Sequence, residues 1–127
     1  MLESAVQQRV QLEMARLGGL VWRNNVGVAQ TEHGRPVRYG LCNESAQMNR
    51  RLKSSDLIGI TPIVIQQHHM GQTMGVFTAL ECKASDWHMV PSDHRAQAQQ
   101  RFIDLVRGVG GRGGIITDPA QVQGLVL

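Results

Sequence analysis

The sequence predicts an α+β fold, with a mixed sheet carrying helices against it. Three observations point there. Apolar residues recur at helical spacing over residues 2–17 and again over 94–107. Short apolar runs of strand length stand at 20–25, 36–41, 56–60, 63–65, 75–83 and 114–117. Glycine, proline, asparagine and serine punctuate the gaps between them. Helix, strands, hairpin, helix and strand then follow in an α-β-β-β-α-β order, with the helices packed on a central sheet.

The bulk numbers agree. A chain of 127 residues is sized for one domain, residues 1–127, with a single core. It is 42% apolar and 18% charged, which fits a globular protein and does not suggest disorder. The net charge of +3 suits a polyanionic partner without requiring one. No apolar run approaches the ~20 residues that span a bilayer, so no membrane partner is expected. The N-terminus lacks a basic flank followed by an apolar stretch, so no signal peptide is expected. Cys42 and Cys82 match no common zinc or redox spacing. That pattern fits a reducing intracellular setting.

Leu2, Ala5, Val6, Val10, Met14 and Leu17 mark one face of a first helix, and Gly18-Gly19 is its stop. Glu3 lies in the first turn, where the helix dipole favours a negative charge. Residues 20–25 read as a strand, the polar run 29–35 as a turn or flexible loop around Gly34, and 36–41 as a second strand. Arg23, Arg35 and Arg38 are either a solvated face or phosphate contacts, helped by Asn24, Asn25 and Tyr39. Residues 42–53 read as a loop with room for a helical turn. Arg50, Arg51 and Lys53 cluster there, just before Asp56. Pro62 breaks the next run, because it cannot donate to a central ladder. Residues 66–73 form the connection of a hairpin, with Gly71 at its turn. His68 and His69 in that connection read as surface histidines.

The run 75–85 is the centre of the chain. Residues i and i+2 share a strand face, so Glu81 and Lys83 point together and Cys82 points away. If this run pairs with 56–60 as a hairpin, Asp56, Glu81 and Lys83 converge. Residues 84–94 form a polar loop holding Trp87. Ser92 or Asp93 caps a helix from His94 to Arg107, whose apolar side is Ala98, Phe102, Ile103, Leu105 and Val106. Gln97, Gln99 and Gln100 read as its solvated side, with Arg95 and Arg101 on the same helix. Gly108 to Gly114 reverses the chain into a strand at 114–117. Asp118-Pro119 opens a short helix, and 125–127 read as a terminal strand.

Two carboxylates can hold a hard divalent cation that keeps several of its waters, and a neighbouring lysine can place or activate a water. Glu81 and Lys83 taken singly also fit a plain ion pair at a sheet edge.

The wider pattern goes further. E-S-A-V-Q-Q, W-R-N-N-V-G, R-Y-G-L, S-S-D-L-I-G-I, A-L-E-C-K, Q-Q-R-F and the Gly-Gly turn before the last strand run through nearly the whole chain. Together they resemble the PD-(D/E)-x-K nuclease superfamily, and within it the VRR-NUC family of virus-type replication-repair nucleases. The resemblance implies a restriction-endonuclease-like core and a Mg2+- or Mn2+-dependent DNA endonuclease acting on branched DNA such as four-way junctions. It implies catalytic roles for Asp56, Glu81, Lys83 and Gln99. The implied metal ligands are Asp56, Glu81, the Cys82 backbone carbonyl and Glu3, which displaces the dipole reading of Glu3. DNA contacts would fall to Arg23, Asn24, Arg35, Arg38, Arg50, Arg51 and Lys53. A homodimer in the interior of a phage-infected or bacterial host cell is also implied. Ser55 stands where the superfamily name has proline, a departure that leaves the ligands intact. A DNA-binding module with an unused site is the alternative.

Overall fold

Residues 2–127 are described by a computed structural model and gather into two units, Met1–Gly59 and Ile60–Leu127. The α+β class holds.

In the first unit, helix α1 spans Glu3–Arg16 and packs on strand β1, Leu20–Arg23. Its stop is the glycine pair. Gly18 sits at φ 84° while the Gly19 N–H donates to the Met14 carbonyl at 2.8 Å. That left-handed turn is open to glycine at no steric cost. Strand β2, Gly27–Gln30, pairs antiparallel with β3, Pro36–Tyr39, in the register Gly27↔Tyr39 to Gln30↔Pro36. The start of the run expected to be loop is therefore strand. Cross-strand pairing overrides its polar composition, and Thr31–Arg35 makes the turn, the Thr31 N–H donating to the Arg35 carbonyl at 2.8 Å. The helical turn expected near 42–53 is α2, Ala46–Arg51, capped by Ser45, whose hydroxyl accepts from the Met48 N–H at 3.0 Å. Strand β4, Leu57–Ile60, has β1 as its ladder partner.

In the second unit, β5, Thr78–Cys82, and β6, Arg112–Ile116, pair in parallel from Thr78↔Arg112 to Cys82↔Ile116. Parallel neighbours need a long crossover, and α3, His94–Gly108, supplies it and packs on both strands. Gly113 lies against the Ala79 carbonyl so closely that a β-carbon would collide with it. The buried apolar residues are Ala96, Ile103 and Val106 of α3, Ile116 of β6 and Ile60 at the end of β4.

Several expectations change here. β5 takes β6 and β4 takes β1, in place of the hairpin expected between the two runs. Residues 63–65 form no strand, and Val64 is 81% exposed. The connection expected at 66–73 contains a short 3-10 helix, Gln67–His69. On α3, Phe102 and Leu105 are 41% and 48% exposed, and Ala96 takes the buried place expected of them. The end of the chain is helical. Asp118 caps the 3-10 helix Pro119–Gln121, which runs on into α4, Val122–Val126, where a terminal strand was expected at 125–127. Leu125 seats against Gly114 of β6, so its burial comes from helix-on-strand packing.

Candidate active site

The chemistry-bearing residues of the second unit meet where β5 ends. Exposure alternates along β5, with Ala79 and Glu81 half-buried between exposed neighbours. The period continues to Lys83, whose backbone N–H donates to the Ile116 carbonyl at 2.8 Å and carries the ladder one residue beyond the strand. Glu81 and Lys83 thus share a face, as a period of two requires.

Gln99 comes from the middle of α3. That helix is started by Asp93, whose carboxylate accepts from the Ala96 N–H at 2.9 Å and from Trp87 Nε1 at 3.4 Å. The Ala96 N–H, then the Trp87 N–H and the nearby charges of Lys83 and His94, hold the Asp93 carboxyl below its ordinary value. Helix α3 then presents Gln99 across to β5. Lys83 Nζ donates to Gln99 Oε1 at 2.7 Å, and Gln99 Nε2 donates to Glu81 Oε1 at 2.9 Å. Lys83 Nζ stands 3.6 Å from the same Glu81 oxygen. It also lies 5.7 Å from the centroid of the Trp87 ring, within cation–π reach. The side chains of Lys83 and Glu81 are 18% and 35% exposed, so the network is partly withdrawn from water.

Both contacts to Glu81 fall on Oε1. Among the described residues Oε2 carries no protein hydrogen bond. Glu81 also lines a cleft of about 430 Å³, together with Gln99, Arg95, Leu80 and Phe102 among others. Arg95 and Trp87 are site residues that sequence reasoning passed over. Arg95 stands on the predicted helix with no role assigned. Trp87 carried a signal that went unused, a large aromatic in a polar loop four residues from Lys83.

The structure therefore brings together Glu81, Lys83 and Gln99. Asp56 and Glu3 belong to the first unit. Asp56 is exposed, and its carbonyl accepts from the Asn24 N–H at 2.8 Å. Glu3 is exposed on the first turn of α1 and accepts from Gln7 Nε2 at 3.5 Å. Among the described residues no group of three or more His, Cys, Asp or Glu side chains is placed to hold a metal ion. At the end of β5 the second unit brings one carboxylate to this network, Glu81, with Oε2 outside its hydrogen bonds. That fits a cation taking most of its ligands from water, for which one or two carboxylates suffice.

Of the expected DNA contacts, Arg23, Arg35, Arg50 and Arg51 are exposed. Asn24 donates to Ser54 Oγ at 2.8 Å. Arg38 is half-buried and donates to Asn43, and Lys53 donates to Asn49 Oδ1. No helix among the described residues is long and apolar enough to cross a membrane. Comparison with known families, curated proteins and solved structures finds no match for this chain.

Proposed function

We propose that this chain is a divalent-metal-dependent DNA endonuclease of the PD-(D/E)-x-K, VRR-NUC-like kind, hydrolysing phosphodiester bonds in branched DNA such as four-way junctions. The supporting observation is the hydrogen-bonded set Lys83–Gln99–Glu81 at the end of β5. A surface ion pair has no use for a third residue that binds both partners.

On this proposal Glu81, the Cys82 carbonyl, Asp56 and Glu3 would hold Mg2+ or Mn2+. The cation would polarise the phosphodiester and lower the pKa of a bound water. Lys83 keeps its ammonium beside Glu81 because Gln99 accepts from it. There it can orient an attacking water and stabilise the charge that grows on the phosphoryl oxygens. Gln99 touches no reacting atom and is a positioning residue. Arg95 adds a permanent positive charge to the cleft, suited to a neighbouring phosphate. The proposal extends to a homodimer that presents two sites to a two-fold junction, within a bacterial or phage-infected cell.

The test is cleavage of a synthetic four-way junction with Mg2+ or Mn2+, by the native chain beside Asp56→Ala and Lys83→Ala. Metal-dependent cutting lost in both variants supports the proposal, and equal cutting by all three overturns it. A DNA-binding module with an unused site is the second reading, supported by Arg38 and Lys53 beside one recess that no carboxylate lines. Such a module would bind DNA in a salt-dependent way and cut none of the branched, nicked or linear forms.

A further inference from the structure

We propose that Arg38 and Lys53 form a preorganised phosphate-binding pocket within the Met1–Gly59 unit, and that it takes a backbone phosphate of nucleic acid. The pocket has a volume of about 290 Å³, and Arg38, Asn43, Asn49, Lys53 and Ser54 are its polar lining.

Its foundation is Asn43, which is only 2% exposed. Asn43 Nδ2 donates to the Gly27 carbonyl at 2.7 Å and to the Tyr39 carbonyl at 2.8 Å. It thereby ties the turn after β3 to the start of β2. The residue before it, Cys42, sits at φ 59°, a conformation non-glycine residues hold only where their surroundings impose it. Arg38 is then fixed on Asn43 at two points. Arg38 Nη2 donates to Asn43 Oδ1 at 2.7 Å, and Arg38 Nε donates to the Asn43 carbonyl at 3.0 Å. A guanidinium has five N–H donors in a rigid fork, so most of them remain for a ligand. Lys53 Nζ is held by Asn49 Oδ1, which leaves further ammonium donors.

The charge balance is what calls for an anion. The ion pairs of the described residues are Arg16–Glu13, His33–Glu32 and Lys83–Glu81, none of which includes Arg38 or Lys53. No carboxylate lines the pocket. Two cations held on amide side chains around one recess, with no counter-charge, are stabilised by a bound phosphate. A solvated charged face would leave Arg38 extended into water instead of half-buried and doubly bonded. Arg23, Arg35, Arg50 and Arg51 lie outside this pocket. Only the source of the phosphate, nucleic acid, rests on the nuclease reading; the pocket itself uses none of Glu81, Lys83 and Gln99.

The experiment is an NMR titration of the full chain with inorganic phosphate, and separately with a short unbranched DNA duplex. Duplex affinity is measured across 50–200 mM salt for the native chain, Lys53→Gln and Arg38→Lys. The expected result is saturable movement of the Arg38 Nε–H, Asn43 side-chain amide and Lys53 signals with both ligands. Lys53→Gln should bind the duplex more weakly and flatten the log–log salt slope by about 0.9, the value of one lost phosphate contact. Unmoved Asn43 amide signals in ligand-free Lys53→Gln would show the turn intact. Scattered, unsaturable shifts, or unchanged affinity and slope in both variants, overturn the pocket. Saturation by inorganic phosphate with no response to duplex overturns the nucleic-acid source. Junction cutting is a separate readout: its absence with these shifts present sinks the nuclease reading and leaves the pocket standing.

Discussion

Gln99 fills a place that suits only a side chain with a donor and an acceptor at one end. Its carbonyl accepts a hydrogen bond from Lys83 Nζ and its NH2 donates to Glu81. A glutamate there would set a second carboxylate against Glu81, and a leucine would remove the hydrogen bonds that bridge the Lys83–Glu81 pair. On the proposed function, Gln99→Leu should cut junction DNA roughly 10–100-fold more slowly, the usual cost of losing a residue that orients a metal ligand. The loss should appear in kcat with KM for DNA held, as steady-state kinetics would show. Lys83→Ala should lose about 10²–10³-fold, the scale of one stabilising group in a preorganised site. Asp93 gives a pH signature. Its carboxyl is held below the ordinary 3.8, so its charge adds stability above that pH, and the gain disappears as pH falls through the lower folded value. Melting scans of native protein and Asp93→Asn should separate near neutrality and converge in acid. Glu81 and Lys83 were legible as a pair because a strand's period puts them on one face. Gln99 read as a solvated residue and entered only through resemblance, since nothing local ties a helix glutamine to a strand 16 residues earlier. Asn43 had no signal at all: its burial comes from the turn after β3 folding it against the Gly27 and Tyr39 carbonyls at the open end of the hairpin.

Among the elements, α3 decides most. Its start was readable from Asp93 and its end from the glycines after it, and the structure moves the end only from Arg107 to Gly108. The face it buries was read less well. Phe102 and Leu105 are the larger apolar residues, yet the helix turns Ala96, Ile103 and Val106 inward. Which face of α3 is buried is decided by the strands it packs on, β5 and β6, out of reach of a hydrophobic pattern read on the helix alone. Ile103→Ala should therefore cost about 2–5 kcal/mol in urea unfolding, and Leu105→Ala no more than about 0.5 kcal/mol. Gly113→Ala should destabilise by about 1–3 kcal/mol, since its β-carbon would press on the Ala79 carbonyl. β2 was missed because its residues are ordinary for a loop, and only β3 beside them makes them a strand.

At the scale of the whole chain, the proposal ties Asp56, in the Met1–Gly59 unit, to the same cation as Glu81. Thermal melting tests this without any DNA. Mg2+ at a hundred times its dissociation constant should stabilise the native chain by about 2.7 kcal/mol. If both acids serve one ion, Asp56→Ala and Glu81→Ala should each abolish most of the shift. A shift kept in full by Asp56→Ala would remove that residue from the site. The parallel pairing of β5 with β6 has a consequence in time. Every residue of the Lys83–Gln99–Glu81 set has been synthesised by position 99, but β5 finds its ladder partner only in residues 112–116. A ribosome releases the N-terminal part first. A nascent chain halted after α3 would carry all the chemical groups of the site with no neighbouring strand to hold Glu81 and Lys83 in line. Whatever the site does is thereby deferred until residues 112–116 emerge.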